Sequence, residues 1–252
     1  MIACIFHQGS GMGNQLARYV AVRFLAMDKG YEFGVINPEN FKGKDFINLD
    51  IGVPINGLLH EYNEKRVYHS DGSNITPYDP VLLTVEDFTL VDGELQDEKY
   101  FEHHIDEVRE WLKCEPKEFR MLFTKPEDTC VISFRGGEYV GVESLFLKQS
   151  YWDEAMAKMR EINPAMKFGV VTDDPITAQK FFPNFDIRHE MHFDWSAVRE
   201  AHNLILSNSS FAILPALLNT NAKNIIAPLY WAGHNKGYWQ LEQNNYKRFT
   251  FI

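Results

Sequence analysis

The chain has 252 residues, of which 45% are hydrophobic and 24% are charged, and its formal net charge is −10 at pH 7. This length and composition are typical of a folded globular protein with one large core or two smaller ones. The acidic balance and the lack of any Lys/Arg cluster argue against a nucleic-acid groove, because phosphate neutralisation needs a basic stripe.

Hydropathy and cysteine content also predict the cellular compartment of the protein. No apolar run approaches the roughly 18 residues that cross a bilayer. The opening "MIACIF" is too short for the apolar region of a signal peptide. The three cysteines, Cys4, Cys114 and Cys130, are widely spaced and odd in number, which suits buried thiols in a reducing compartment. We therefore expect a cytoplasmic protein without a transmembrane segment.

The first half of the chain opens with a strand, a glycine-rich loop and a helix. "IACIF" is short and apolar, "HQGSGMGNQ" follows it, and "YEFGVIN" predicts a second strand. Leu16, Val20, Phe24 and Met27 have helical spacing, and Gly30 ends the helix. This order predicts a parallel sheet.

Residues 38–80 show no sustained period and predict a long irregular excursion on the substrate side. After it, "LLTVEDFTLV" predicts a strand and "EKYFEHHIDEVREWLKC" a helix.

The alternation restarts after a predicted linker, "KPEDT". Four strands, "CVISF", "KFGVV", "LIL" and "NIIAP", alternate with three helices, "YWDEAMAKMREI", "DWSAVREAHN" and "FAILPALLN". We predict an α/β fold with two Rossmann-like domains, residues 1–125 and 126–252. Such sheets bind their ligands at the carboxyl ends of the strands.

The glycine loop fits neither of two familiar phosphate-binding patterns. The dinucleotide pattern G-x-G-x-x-G would need a third glycine where Asn14 or Leu16 stands, and a Walker A loop would need a lysine. A flexible loop before a helix favours an anionic ligand at the helix start. A tight turn with a purely structural role is the alternative.

Three further segments follow predicted strands in the second half. Arg135, which is followed by two glycines, could bind a diphosphate through two of its nitrogens, or it could be a surface arginine in a turn. "SNSS", residues 207–210, could cradle an anion or simply cap a helix. "TDD", residues 172–174, could hold a metal, but an Asx-type turn suits the following proline better. The histidines lack zinc-type spacing, and no G-x-S-x-G nucleophile elbow is present.

Taken together, five segments resemble the α-1,2-fucosyltransferase family and its α-1,6 and protein-O relatives. "GSGMGNQLARYVAVRFLA" is similar to the family's Gly-Gly-x-Gly-Asn-Gln-Leu signature and the helix after it. "DGELQDEKYFEHHIDEVREWL" and "VISFRGGEY" are similar to its Gln-Ser-Glu-Lys-Tyr-Phe and His-x-Arg-Arg-Gly-Asp-Tyr segments. "DWSAVREAHNLILSNSSFAILPALLN" and "NIIAPLYW" are similar to its last block and the strand that follows.

The resemblance implies a GT-B-type fold, in which two Rossmann-like domains face each other across a cleft. It implies an inverting, metal-independent glycosyltransferase with no cofactor, which transfers L-fucose from GDP-fucose to a hydroxyl of an oligosaccharide acceptor. Arg135 would bind the donor β-phosphate and stabilise the departing diphosphate, and Asp194 would accept from guanine N–H groups. The remaining donor-binding positions implied are Gly11, Gly13, Asn14, Gln15, Ser209 and Ser210.

The sequence also departs from the family pattern. Ser133 replaces the motif histidine, Gly136 the second arginine and Glu138 the aspartate, while Ile213, Leu214 and Pro215 replace a Trp-Trp-Gly run. Two alternatives therefore stay open: a catalytically degenerate sugar- or nucleotide-binding protein, and a transferase that uses another nucleotide sugar.

The base of the implied reaction has two candidates. Glu138 stands at the acidic position of the motif, and Glu143 at a spacing typical of the α-1,6 branch. Either could instead be a solvated loop carboxylate. Acceptor specificity is expected within residues 38–95, where the pattern is least regular.

Overall fold

The computed structural model describes residues 1–57, 59–68, 74–114, 125–230 and 248–252. The chain divides into two compact units, 1–114 and 115–252, and each is described by itself. The boundary predicted at residues 125 and 126 stays a prediction.

The first unit is built on a four-stranded parallel sheet. Its strands are β1 (Ile2–Ile5), β2 (Phe33–Ile36), β3 (His60–Asn63) and β6 (Thr89–Asp92), in the order β2-β1-β6-β3. A separate antiparallel pair joins β4 (Val67–Tyr68) to β5 (Asn74–Ile75). Because β1 is apolar and lies between two neighbours, it is buried along almost its whole length.

Helix α1 (Met12–Lys29) connects β1 to β2, as the apolar spacing predicts. Gly11 is its N-cap, and Gly30 ends it in the left-handed conformation (φ 67°), with its N–H directed to Ala26 and Met27 carbonyls. The left-handed conformation suits glycine because it has no Cβ. Most of the helix is buried, so its face against the sheet supplies much of this unit's core.

Two predictions for this unit need correction. Within residues 38–80, predicted as irregular, the edge strand β3 forms; its sequence "HEYN" is polar and largely exposed, so no hydrophobic pattern marks it. The helix predicted over "EKYFEHHIDEVREWLKC" is broken into two 3₁₀ turns and a short α2 (Ile105–Trp111). Tyr100 accepts a hydrogen bond from the Asp79 amide (2.8 Å), and this tertiary contact fixes the first turn where helical periodicity alone would continue.

The second unit is a six-stranded parallel sheet with helices on both faces. The order is β9-β8-β7-β10-β11-β12. In chain order its elements are β7 (Thr129–Phe134), α3 (Gln149–Ile162), β8 (Lys167–Thr172), α4 (Pro175–Phe181), β9 (Asp186–Arg188), α5 (Met191–Glu200), β10 (Asn203–Leu206), α6 (Ser210–Leu218), β11 (Asn224–Ala227) and β12 (Phe249–Phe251). Three of these, α4, β9 and β12, are short and were not predicted.

Two apolar layers hold this sheet. Helices α3 and α4 cover one face, where Trp152 is fully buried, and α5 and α6 cover the other. Tyr151 of α3 donates a 2.6 Å hydrogen bond to the Leu206 carbonyl, tying that helix to β10. The predicted α/β class with parallel sheets is confirmed.

In the described part of the chain, the longest helices fall short of the length and apolarity that a bilayer-crossing segment requires.

Candidate functional site

The second unit has a point where its strand order reverses, between β7 and β10. From β7 the chain moves outward to β8 and β9, and then returns to build β10, β11 and β12 on the other side. In open α/β sheets, ligands bind at the carboxyl ends of the strands beside such a point. Here these ends carry the loops 135–137 and 207–210, which the Ser207 amide joins by donating to the Ser133 carbonyl (3.0 Å).

Arg135 leaves the end of β7 and is held by two carboxylates. Its Nη1 lies 2.7 Å from Asp173 Oδ2, and its Nη2 lies 2.8 Å from Glu138 Oε1. The guanidinium also lies over the Tyr139 ring, 5.2 Å from the centroid. Nε is buried and has no hydrogen-bond partner among the described residues. The guanidinium thus presents its two outer nitrogens to anionic oxygens, which is the geometry that phosphate also uses.

The two glycines after Arg135 let the loop close onto the end of β8. The Gly136 amide donates to Asp173 Oδ1 (2.9 Å), and a Cβ at Gly136 would lie 2.6 Å from the Asp174 Cβ. Gly137 has φ 44°, in the left-handed region, and a Cβ there would meet Asp173. A Cβ at either position would therefore force the loop or the aspartate that it meets to shift.

The "TDD" segment that ends β8 forms a helix cap. Asp174 accepts from the Thr177 amide (3.0 Å) at the start of α4, and hydrogen bonds from the Thr177 side chain and from this amide hold the pKa of the Asp174 carboxyl below the usual value. The Asx-type alternative describes this side chain, with Pro175 as the first helical residue. Among the described residues, no group of three or more His, Cys, Asp or Glu is placed to hold a metal ion.

The serine segment lies at the start of α6. Ser209 is the N-cap, and its carbonyl accepts from the Ala212 and Ile213 amides (2.9 Å each). Its hydroxyl makes no capping hydrogen bond, and the buried Ser207 hydroxyl has no partner within the described ranges. Asn208 donates to the Leu145 carbonyl (3.0 Å) and so fixes this loop to the segment after β7. The Ser209 hydroxyl and the first amides of α6, which begins at Ser210, can therefore receive an anion.

Asp194 is buried in the first turn of α5. Its Oδ1 accepts from the Glu190 amide (3.3 Å), and its side chain is 4% exposed. Burial raises its pKa to about 8, and the negative charges of Glu190 and Asp173 act in the same direction. The assignment of Asp194 to guanine stays a prediction.

The two candidate bases differ in their surroundings. Glu138 is the counter-ion of Arg135 and is three-quarters exposed. Glu143 is exposed and follows the 3₁₀ turn Gly137–Gly141. Neither position assigns the base.

In the first unit the glycine-loop residues take separate roles. Gly11 is exposed at the start of α1, beside Gly13. Asn14 Oδ1 accepts from Gln96 Nε2 (2.9 Å) at the carboxyl edge of the sheet. Gln15 is fully buried: its Nε2 donates to the Asn40 carbonyl (2.8 Å), and its Oε1 accepts from the Lys42 amide (3.0 Å). Gln15 therefore supports the 40–42 loop from inside the unit.

The sequence analysis considered Asp173 only as part of a possible metal site or turn and gave His7 no role, so it missed two pairings. Asp173 organises the arginine loop, and His7 pairs with Asp92 at the edge of the first sheet (2.8 Å). Both face partners on neighbouring strands, so the only available signal was their position directly after a strand.

The fold and this site define an α/β protein with an arginine and a serine-rich helix start at the reversal point of a parallel sheet. No family model matches the sequence, and no match was found among curated proteins. Among the solved structures to which the chain is similar is one described as NodZ alpha-1,6-fucosyltransferase co-crystallized with GDP. That similarity has a TM-score of 0.49 and 11% sequence identity, and it covers 90% of this chain and 94% of the other.

Proposed function

We propose that this protein is an inverting glycosyltransferase that transfers L-fucose from GDP-fucose to a hydroxyl of an oligosaccharide. One observation carries the proposal: Arg135 and the serine-tipped start of α6 follow the neighbouring strands β7 and β10, between which the strand order of the second unit reverses. The motif resemblance of these same segments supplies the donor class. No metal is required, because the arginine and the helix start can themselves stabilise a departing diphosphate.

In this proposal a phosphate of the donor replaces the Glu138 carboxylate on Arg135. The Glu138 side chain, exposed and paired only at one edge of the guanidinium, gives way to a β-phosphate oxygen. Asp173 keeps Arg135 oriented through the second nitrogen, since it also holds the Gly136 amide. The Ser209 hydroxyl and the first-turn amides of α6 add neutral donors. These fixed, preorganised dipoles then stabilise the negative charge that develops on the leaving diphosphate.

Asp194 is proposed to bind the guanine base. The N1–H and N2–H edge of guanine offers two donors, and an ionised carboxylate accepts both. Because burial raises the pKa of Asp194 to about 8, guanine binding near neutral pH would release a proton from it. Calorimetric titration with GDP in buffers of different ionisation enthalpy measures that proton directly.

The first experiment compares GDP, UDP and dTDP by calorimetry on the wild type, Arg135→Ala and Ser209→Ala. Arg160→Ala, an arginine on the outer side of α3, is the matched control. Loss of a charge-assisted contact of about 1.5 to 3 kcal/mol raises the GDP dissociation constant by about 10- to 150-fold. Among the variants, we expect a loss of this size in Arg135→Ala alone. A preference for UDP would refute the guanine assignment, and absence of all nucleotide binding would refute the donor site.

A second candidate is a nucleotide-binding protein without turnover. It is favoured by the two carboxylates on Arg135 and by Gly136, which stands where the resembling family has a second arginine. Release of GDP and free fucose from GDP-fucose separates the two candidates. Turnover that disappears in Arg135→Ala supports the transferase, and tight GDP binding without any turnover supports the inert protein.

A further inference from the structure

A histidine lies at the carboxyl edge of the second unit's sheet, directly after β9. His189 is exposed, and its Nδ1 lies 2.7 Å from the Thr172 carbonyl oxygen at the end of β8. Because a carbonyl oxygen only accepts hydrogen bonds, Nδ1 carries the proton and donates it. In the neutral ring the other nitrogen, Nε2, then holds a lone pair and is an acceptor. Within the described part of the chain, Nε2 has no hydrogen-bond or ion-pair partner.

His189 lies between the residues that are proposed to bind the two ends of the donor nucleotide. On one side, the end of β8 leads into Asp173, whose Oδ2 lies 2.7 Å from Arg135 Nη1. On the other side, the next residue is Glu190, whose amide donates to Asp194 Oδ1 (3.3 Å). All these residues belong to the second unit, and they follow the carboxyl ends of its strands β7, β8 and β9.

The chemistry of a nucleoside diphosphate suits this order. Its ribose lies between its base and its phosphates, so a nucleotide with its base at Asp194 and its β-phosphate at Arg135 carries the ribose past His189. The 2′ and 3′ hydroxyls of a ribose are hydrogen-bond donors, and a ring nitrogen with a lone pair accepts from them. Both oxygens of the nearby Asp173 already hold the arginine and the Gly136 amide.

We propose that Nε2 of His189 accepts a hydrogen bond from a ribose hydroxyl of the donor, which makes the site selective for ribonucleotides. The inference rests on the proposed donor site and deepens it, because it adds a contact to the sugar between the base and the phosphates. His189 is here a binding residue and takes no part in proton transfer. The contact is independent of which base the nucleotide carries.

A purely structural role of His189 predicts a different result. If the ring only ties the end of β9 to β8, a side chain that keeps the hydrogen bond to the Thr172 carbonyl retains the affinity for every nucleotide. Asparagine is such a side chain, because its amide nitrogen can take the place of Nδ1 while the side chain ends short of Nε2. Glutamine instead brings its amide to the distance of Nε2.

The experiment measures the dissociation constants of GDP, 2′-deoxy-GDP and 3′-deoxy-GDP by calorimetry on the full chain. The variants are His189→Asn, His189→Gln and Glu190→Gln, the last because Glu190 is an exposed acceptor beside the histidine. His60→Asn is the matched control, since His60 is an exposed histidine on β3 of the first unit. Thermal unfolding verifies that each variant folds.

We expect the wild type to bind GDP about 3- to 10-fold more tightly than one of the two deoxynucleotides, which is the effect of one neutral hydrogen bond. His189→Asn should weaken GDP binding by the same factor and leave the affinity for that deoxynucleotide unchanged within about twofold, because the hydroxyl and its acceptor act as a pair. His189→Gln should recover part of the loss. Glu190→Gln and His60→Asn should keep the preference of the wild type.

Three outcomes would overturn the inference. The first is a wild type that binds all three nucleotides equally. The second is a His189→Asn variant that keeps the GDP affinity of the wild type, or that weakens all three nucleotides alike. The third is loss of the ribose preference in Glu190→Gln while His189→Asn keeps it, which would assign the hydroxyl to the glutamate.

These results also separate the inference from the proposed function. A ribose preference that depends on His189, in a protein that releases no fucose from GDP-fucose, supports the inference and overturns the transferase. Turnover of GDP-fucose without any ribose preference overturns the inference alone. A wild type that binds no nucleotide overturns both. If UDP binds better than GDP, the guanine assignment fails, and the same comparison with 2′-deoxy-UDP and 3′-deoxy-UDP decides the ribose contact.

Discussion

The buried carboxyl of Asp194 makes a sharp prediction about pH and stability. Burial raises its pKa from the ordinary 3.8 to about 8, so between these values the folded chain holds a proton that the unfolded chain has released. The unfolded state then binds fewer protons, and stability falls as the pH rises. Asp194→Asn removes this proton while it keeps an oxygen for the Glu190 amide.

The size of the effect follows from the two values. Each pH unit between them is worth 1.36 kcal/mol, which gives a ceiling of about 6 kcal/mol over the whole interval and about 4 kcal/mol between pH 5 and pH 8. We expect Asp194→Asn to gain about 2 kcal/mol or more over the wild type across pH 5 to 8. Glu64 and Glu98 also have raised pKa values of about 7, but they are common to both proteins and cancel in the difference.

Urea unfolding at pH 5, 6, 7 and 8 tests this prediction. Glu161→Gln, which removes an exposed carboxyl from α3 in the same unit, should follow the wild type at every pH. If the curves for Asp194→Asn and the wild type run parallel across this range, Asp194 is not held neutral in the folded protein, and the argument from burial is wrong.

Three further predictions concern the loops and the core of the second unit. Glu138→Gln should tighten GDP binding about 1.4- to fivefold by calorimetry, because it removes an exposed competitor worth about 0.2 to 1 kcal/mol; unchanged affinity would contradict the exchange. Gly136→Ala should cost about 1 to 3 kcal/mol in urea unfolding through its contact with Asp174, whereas Gly141→Ala, with open space at its Cβ, should not. Tyr151→Phe should cost about 1 to 2 kcal/mol through the lost hydrogen bond to Leu206, and exposed Tyr68→Phe should cost nothing measurable.

The sequence predicts those strands and helices whose buried side chains form a run or a regular spacing of apolar residues. Strand β7 is buried at all six positions, and its apolar run is evident in "CVISF". The edge strands β3 and β9 are mostly exposed, so their side chains carry no such run. Helix α4 is only seven residues long, and its Asp-Pro start is equally typical of a turn.

The candidate site likewise contains residues that the sequence could place and residues that it could not. The placement of Arg135 and Ser209 at one edge of the sheet could be predicted because each follows an apolar strand, and all parallel strands of one sheet end at one edge; their role in donor binding stays a prediction. Asp173 and Asp92 could not be assigned, since their roles depend on which strands are neighbours. His7 and Asp92 are 85 residues apart in the chain, and only the placement of β6 beside β1 joins them.

The close packing of Gly136 against Asp174 also constrains how this protein can diverge. A Cβ at position 136 would collide with Asp174, so a single substitution to arginine there, which the resembling family has, would destabilise the loop unless Asp174 also changed. The two positions should change together, with a smaller residue at 174 arising first. In proteins descended from this one, a side chain at 136 should therefore be accompanied by the loss of the aspartate at 174.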